Sequence, residues 1–322
     1  MTTRLYRSTD SSAPTLSGTV GDLVNLLDKC LVTGYGSQVA AGWTKPFTST
    51  NSADFRGSAG LQYYIEVNDN GPNGTSLGKE ARIRGYETMS AFNTGTNLFP
   101  TAAQAVNGTF VRKSSTLDAV VRPWVVLADE RTFYVFVLTG DLAAGSVNAY
   151  LSWGFGDFYT FKSADLGNAF IHGRTTENNA TAGVEVFDIT QVLGTNATSP
   201  ALHIARDAQN NVGAIAAGKL GNHSFFAAPA NGTVFSGSIQ ATNPANNRLY
   251  LAPIQVIHTT GGNTIRGRMR GIWHCGHPVT GFSDGDTYSG AQDLNGRSFL
   301  FLKLSHNSGI YCLETSNTWD TN

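Results

Sequence analysis

The chain has 322 residues, of which 41% are hydrophobic and only 14% are charged, with a formal net charge of −1. This hydrophobic content excludes a disordered chain, and the length suffices for one large domain or two ordinary ones. The near-zero net charge argues against a protein that binds nucleic acid or anionic lipid through bulk electrostatics. We therefore expect neither a nucleic-acid partner nor a membrane partner.

The first predicted elements are a polar N-terminal arm and a helix, which together form a predicted attachment unit over residues 1–50. Residues 1–16 are polar and interrupted by Pro14, so we expect them to lie outside the core. Over about 17–33, apolar side chains recur at helical spacing, at Val20, Leu23, Val24, Leu27, Cys30 and Leu31. Ser17 or Thr19 could cap the start of this helix, and Gly34 could end it. No signal-peptide segment precedes the helix, so we expect the protein to fold in a cytosol.

After Gly36 the pattern changes to short β-rich runs separated by Gly, Asn and Asp turns. The runs are 61–67, 81–87, 121–128, 132–138, 147–153, 157–162, 183–187, 233–239, 247–258, 297–304 and 309–314. This spacing favours a mainly β fold of sandwich- or barrel-like domains with one N-terminal α-helix. Two runs, TFYVFVL (132–138) and SFLFLKL (298–304), are apolar on both faces, so both of their sides must be covered.

A weak internal sequence similarity suggests how the β-rich part is divided into domains. ARIRGYE (81–87) resembles GRMRGIW (267–273), and each segment precedes a strand start of the form Arg-Thr/Ser-Phe, at 131–133 and 297–299. The spacing between the matched segments differs, so chance similarity is the alternative. We predict a first β-domain over 51–165 and a second over 166–322. The similarity of the two segments would indicate that these two domains are related.

Two segments contain residue types that bind metals. His274, Cys275 and His277 lie close enough to suggest zinc, but the sequence has no second spaced pair of ligands, so we expect a strand-to-turn segment. Carboxylate and amide oxygens at 284–295 would suit calcium, yet the EF-hand pattern is missing and such residues commonly make turns. These oxygens belong to Asp284, Asp286, Asp293 and Asn295. We expect no metal and no other cofactor.

Signals for catalysis and for disulfides are also missing. The sequence has no nucleophile elbow, no phosphate loop and no dinucleotide fingerprint, so we expect no enzyme. A carboxylate pair for glycoside hydrolysis stays open, because such a pair forms only in space. Cys30, Cys275 and Cys312 are predicted to be buried free thiols. Most aromatic residues lie within the β-runs, which favours core positions over a sugar-binding surface.

Arginine-bearing strands are the candidate interface. Arg266, Arg268 and Arg270 lie at alternate positions, so a strand would present all three on one face, about 7 Å apart. A solvated face and a nucleic-acid stripe are the alternatives. We favour an interface in which the guanidinium groups meet carboxylates or backbone carbonyls of a neighbouring subunit or domain. Arg82 and Arg84 repeat the pattern and could form an equivalent contact.

Eight segments spread along the chain carry a family resemblance. They are RLYRSTDSSAPTLSG (4–18), LLDKCLVTGYGSQVAAGWTKPF (26–47), EARIRGYETMS (80–90), RPWVVLADERTFYVFV (122–137), FGDFYTF (155–161), LYLAPIQV (249–256), TIRGRMRGIW (264–273) and ETSNTWD (314–320). Together they resemble a family of structural virion proteins from tailed bacteriophages, associated with the tail or neck. The resemblance brings over no catalytic residue. It implies a component of the tail, the neck or an appendage, assembled in the host cytoplasm, with other copies of itself and other virion proteins as partners.

Two other virion roles are alternatives. One is a receptor-binding or tail-spike protein that contacts host glycan, although the sequence shows neither a β-helix repeat nor a trimerising heptad. The other is a capsid decoration or head-fibre protein, which differs only in its location on the particle.

Overall fold

The computed structural model describes residues 1–70, 78–114, 116–138, 150–174, 200–212, 217–221, 250–258, 264–275, 283–303, 310–316 and 318–319. Within them the fold is mainly β, with antiparallel sheets and one short helix near the N-terminus, as predicted. The predicted strand 132–138 is found with the same bounds. Two predicted runs, 183–187 and 233–239, lie outside the described residues.

The strands of the first half lie between residues 4 and 160. They are β1 (Arg4–Arg7), β2 (Thr48–Ser49), β3 (Ser52–Arg56), β4 (Tyr64–Asn68), β5 (Glu80–Tyr86), β6 (Thr88–Ala91), β7 (Thr94–Thr96), β8 (Thr109–Arg112), β9 (Trp124–Ala128), β10 (Thr132–Leu138), β11 (Tyr150–Asp157) and β12 (Tyr159–Thr160). The strands of the second half are β13 (Ala169–Arg174), β14 (Pro200–Ile204), β15 (Ala217–Gly221), β16 (Leu251–His258), β17 (Thr264–Cys275), β18 (Thr287–Ser289), β19 (Ser298–Lys303) and β20 (Ile310–Glu314).

Strand β10 lies between two hydrophobic cores. Phe133, Val135 and Val137 point into a first core, which also holds the helix residues Leu23 and Leu27. The alternate side chains of β10 point into a second core, built largely from strands of the second half; they are Tyr134 and Phe136. Strand β19 is covered in the same way, because Leu300 and Leu302 join the second core while Phe299 and Phe301 form a third cluster with Cys312. The prediction that both apolar runs are covered on both sides is confirmed.

The N-terminal arm is a strand of the sheet. Strand β1 pairs antiparallel with β9, with Arg4 opposite Ala128. Tyr6 and Leu16 are completely buried in the first core, and the Tyr6 hydroxyl donates to the carbonyl oxygen of Val39 at 2.8 Å. The prediction that residues 1–16 lie outside the core is therefore wrong. The segment has few apolar residues, but Tyr6 and Leu16 among them are fully buried. Strand β9, which pairs with β1, lies more than a hundred positions away along the chain.

The predicted helix is shorter than its apolar pattern suggested. It consists of α1 (Asp22–Leu27), followed by a π-helical turn over Asp28–Thr33. Residues 17–21 are not helical, because Gly21 adopts a left-handed conformation with φ 86°. The Leu23 N–H instead donates to the carboxylate of Asp69 at 2.9 Å, so a distant side chain replaces the predicted local cap. Gly34 ends the segment with a positive φ of 78°, as expected of a terminating glycine.

A buried ion pair fixes the start of α1. Lys113 Nζ lies 2.5 Å from Asp69 Oδ1, and both side chains are completely buried. Lys113 also donates to the carbonyl oxygen of Thr19 at 2.6 Å. Burial raises the pKa of Asp69 to about 6 even though Lys113 opposes this effect. The helix start thus depends on two residues that come from separate strand ends of the first half.

Strands on the two sides of the predicted domain boundary at 165 hydrogen-bond to each other. Strand β11 pairs with β13, with Gly154 opposite His172, and β12 pairs with β17, with Tyr159 opposite Arg268. These pairings connect the two predicted β-domains through main-chain hydrogen bonds. The kinship of the two halves stays a prediction.

The two similar segments share one packing feature at their glycines. Gly85 on β5 faces the ring of Phe99, and a Cβ atom added there would lie 2.4 Å from that ring. Gly271 on β17 faces the ring of Trp319, where an added Cβ atom would lie at 2.3 Å. In both Arg-Gly pairs, the glycine makes room for an aromatic ring. The short sequence similarity therefore coincides with the same packing of a glycine against an aromatic ring.

Candidate interaction surface

Strand β17 bends in the middle of its arginine-bearing segment. Its pairing with β16 shifts register between Pro253 and Gln255, and Gly271 has a φ of 67°. An irregularity of this kind locally redirects side chains that a flat strand would align. The three arginines therefore do not share one environment: Arg266 and Arg270 form buried ion pairs, whereas Arg268 lies against an aromatic ring.

Arg266 forms a buried ion pair with Asp165. Its Nη2 lies 2.6 Å from Asp165 Oδ1 and its Nε lies 3.0 Å from Asp165 Oδ2, so the contact is bidentate. The two side chains are only 2% and 0% exposed. Burial disfavours the charged form of Asp165. Hydrogen bonds from Arg266, the Gly167 N–H and the Thr160 hydroxyl, with the charge of Arg266, together outweigh burial and hold the pKa of Asp165 below its usual value.

The Arg266 guanidinium also links a second ion pair to this one. Its Nη1 donates to the backbone oxygen of Arg206. The Arg206 guanidinium in turn binds Glu87 in a bidentate contact, with distances of 2.5 and 2.6 Å. The carboxylates of Glu87 and Asp165 are thus bound by the guanidinium groups of Arg206 and Arg266. The salt-bridged contacts connect the ranges predicted as first and second β-domain, within one chain.

Arg270 is buried in the same manner at the other end of the bend. Its Nη2 lies 2.7 Å from Asp129 Oδ2, and its Nη1 donates to Thr132 Oγ1 at 3.2 Å. Its guanidinium lies 5.6 Å from the ring centre of Trp319. Burial raises the pKa of Asp129, and the charge of Arg270 opposes that rise. Arg270 therefore stabilises the fold and is not available to a partner.

Arg268 differs from its two neighbours because it lies against an aromatic ring. Its guanidinium carbon is 4.9 Å from the ring centre of Tyr159, a cation–π geometry. Within the part of the chain that the structure describes, no carboxylate lies within ion-pair distance of Arg268. The side chain is half-buried, so one side of it still faces outwards.

Two aromatic side chains lie beside Arg268. The rings of Tyr159 and Phe161 contact each other edge to face, with centres 6.4 Å apart. Phe161 is 60% exposed, and its N–H donates to the carbonyl oxygen of Arg266 at 2.8 Å. We call the surface formed by Tyr159, Phe161 and Arg268 the Arg268 face.

The other two candidate arginines make local contacts in the first half. Arg82 Nη2 lies 3.3 Å from Glu66 Oε1, and Arg84 Nη1 donates to Asn93 Oδ1 at 2.8 Å. Burial is the main reason that the pKa of Arg82 falls, with the Arg84 charge adding to it. Both guanidinium groups therefore have partners within the chain, and the structure does not bring them together with the Arg268 face.

A buried carboxyl pair lies beside Arg82, and the sequence analysis did not identify it. Asp54 on β3 and Glu66 on β4 are cross-strand partners, and both are completely buried. Burial, together with the charge of Glu66, raises the pKa of Asp54 to about 8. Pairs of carboxyl groups with separated pKa values can perform acid–base chemistry, but here neither group reaches the surface. The alternating pattern of Ser52-Ala53-Asp54-Phe55-Arg56 was the available signal.

The metal-ligand candidates do not converge. His274 packs against the ring of Tyr311, with centres 5.6 Å apart, and the neighbouring Cys275 is completely buried. His277 lies outside the described residues. Asp286 accepts the Ser283 N–H at 2.7 Å, as in a turn. Among the described residues, no group of three or more His, Cys, Asp or Glu side chains could hold a metal ion.

Cysteines and tryptophans follow their predicted placement. Cys30, Cys275 and Cys312 are buried free thiols. Four of the five tryptophans are buried, namely Trp43, Trp124, Trp153 and Trp319. Placing these rings in the cores leaves them unable to stack on a sugar.

No protein-family model matches the chain, and no curated protein matches it in sequence. The described helical segments include none that could cross a membrane.

Proposed function

We propose that the chain is a non-enzymatic structural component of a tailed-phage virion, located in the tail, the neck or an appendage. The resemblance of eight segments to virion proteins supports the phage assignment. The mainly β fold, with charged pairs buried in its interior, is compatible with a particle component. In this proposal the partners are other copies of the chain and other virion proteins, and neither a cofactor nor nucleic acid takes part.

The observation that carries the assembly role is the Arg268 face. Interfaces are enriched in aromatic residues and arginine, and central aromatic and arginine residues supply most of their binding energy. The rings of Tyr159 and Phe161 both keep surface that is open to water: Tyr159 is half-buried and Phe161 is 60% exposed. Covering them against a partner would remove apolar surface from water and give Arg268 a fully desolvated environment.

The direct test is the composition and structure of the particle. Purified virions should contain the chain by mass spectrometry, and cryo-electron microscopy should place it in the tail, neck or appendage density. Its absence from purified particles would refute the proposal, and density on the capsid would favour the decoration role.

A second test uses variants of Arg268. Arg268→Ala should reduce incorporation into particles while changing the melting temperature of the free chain little, since Arg268 has no buried ion pair to lose. Arg268→Lys should restore incorporation only in part, because a lysine cannot reproduce the planar guanidinium on the Tyr159 ring. Lys29→Ala, on the π-helical turn at the first core, is a matched control that should assemble normally.

The glycan-binding alternative is favoured by one observation, the exposed ring of Phe161. Incubation of the pure protein with host surface polysaccharide distinguishes the two roles. Binding that is lost in Phe161→Ala, or cleavage of the polysaccharide, would favour the receptor-binding alternative over a purely structural role.

A further inference from the structure

The loop and short strand that precede β19 form a strongly acidic surface. Residues 283–296 contain Asp284, Asp286 and Asp293 and no Lys, Arg or His. We call this segment, with β18 and a 3₁₀ turn at Gln292–Leu294, the acidic hairpin. Asp284 and Asp293 are exposed and Asp286 is half-exposed. The chain therefore carries a local charge of −3 on a surface projection although its net charge is only −1.

The acidic hairpin also lies at an edge. Strand β18 pairs with β19, and within the described residues it has no second neighbouring strand. Tyr288 and Leu294 are half-buried and pack against the third cluster, so the hairpin is held in a fixed position. A fixed acidic edge suits a partner that offers positive charge beside an apolar surface.

The Arg268 face has this chemistry. Its charged member, Arg268, is cationic, and its other members, Tyr159 and Phe161, are aromatic. The charge of Arg268 acts on the buried acid Glu314, which is already bound by Trp273 Nε1 at 2.9 Å and by Arg297 at 3.3 Å. Arg268 forms no ion pair among the described residues and is half-buried, so an acid of a partner can pair with its exposed side.

We propose that the Arg268 face of one copy binds the acidic hairpin of a second copy. The two surfaces are different parts of the same chain, so repetition of the contact joins copies into a closed ring or into a longer array, and reciprocal contacts join them into a dimer. The inference rests on the proposed function for its biological setting, since a virion component is present in several copies. The contact itself is a property of the chain in solution.

Charge exchange between the two surfaces tests this contact. Sedimentation velocity and light scattering at concentrations up to about 100 μM compare four proteins. They are the wild-type chain, Arg268→Glu, Asp293→Lys and the double variant Arg268→Glu/Asp293→Lys. We expect the wild type to self-associate more strongly at low salt than at high salt, because the contact involves charges near water. Each single variant should weaken self-association by about tenfold or more, and the double variant should recover most of it. Lys29→Glu makes the same change of charge outside both surfaces and should associate like the wild type.

Circular dichroism and melting of each variant confirm that it is folded. If Arg268→Glu is unfolded, Arg268→Ala replaces it, and Asp293→Lys tests the other surface at an exposed position. A wild type that stays monomeric over this concentration range, or a double variant that associates no better than the single ones, would overturn the inference. Monomers in solution together with normal incorporation into particles would overturn the self-contact and leave the proposed virion role standing.

Discussion

Asp165 and Arg266 lie 101 positions apart in the chain and form a buried bidentate ion pair. Removing one partner of such a pair leaves the other charge buried without compensation, which typically costs about 3–5 kcal/mol. The pair joins the segment after β12 to the beginning of β17. It therefore contributes to holding the two halves of the chain together.

Replacement of Arg266 should show this role directly. Arg266→Ala should lower the free energy of unfolding by about 3–5 kcal/mol in urea denaturation, since Asp165 would be left unpaired. Arg268→Ala, two positions away, should lower it by less than about 1 kcal/mol, because Arg268 loses mainly a cation–π contact. Equal losses in the two variants would show that the three arginines are equivalent, contrary to their contacts.

The N-terminal strand should be necessary for stability. Tyr6→Ala should cost about 3–5 kcal/mol, because it removes a fully buried aromatic ring from the first core. Deletion of residues 2–16 should leave a chain that is unfolded or aggregated, since it exposes the edge of β9 and part of the core. Circular dichroism and size-exclusion chromatography of the truncated chain check this outcome. A soluble, cooperatively melting truncated protein would contradict it.

The buried carboxyl pair should make stability depend on pH. The pKa of Asp54 is about 8 in the folded chain, against an ordinary value of about 3.9. Between these values the folded state holds a proton that the unfolded state has lost, so stability should fall as pH rises through this window. Asp54→Asn removes the titrating group and should gain stability relative to the wild type between about pH 5 and about pH 8. A difference that does not vary with pH would contradict the raised pKa.

Buried histidines should make stability fall as the pH is lowered, whereas Asp54 makes it fall as the pH is raised. Burial lowers the pKa of His172 to about 3 and that of His203 to about 4, and His203 adds to the effect on His172. An unfolded chain binds protons at these residues below about pH 6.5, whereas the folded chain does not until the pH approaches 3–4. Stability should therefore be complete above about pH 6.5 and fall as the pH drops below it.

The variant His172→Leu tests this assignment by urea denaturation across the acid range. Its loss of stability on acidification should be shallower than that of the wild type, because one proton fewer is taken up on unfolding. Ile204→Val, on the neighbouring strand β14, is the control and should cost about 1 kcal/mol at every pH. Parallel acid profiles for His172→Leu and the wild type would assign the acid sensitivity to other groups.

The sequence by itself determined the elements whose signal is local. The run 132–138 is apolar at every position that a buried strand requires, and it forms β10 with the predicted bounds. The apolar spacing of Leu23, Leu27 and Leu31 identified the buried face of the N-terminal helix. These results follow because side-chain period and burial are coupled within a few residues.

Only the tertiary structure decided which charged residues are internal. Arg266, Arg268 and Arg270 share one pattern in sequence, yet two of them bind buried carboxylates and the third lies on an aromatic ring at the surface. Their partners Asp165 and Asp129 lie more than a hundred positions away, and no local periodicity encodes such a distance. Strand register likewise sets the partner of β1, which is β9, and places Asp54 opposite Glu66. Residues with the same local pattern can therefore be buried or exposed. A charged side chain is buried only where a distant part of the chain supplies its partner, and the local pattern does not contain that information.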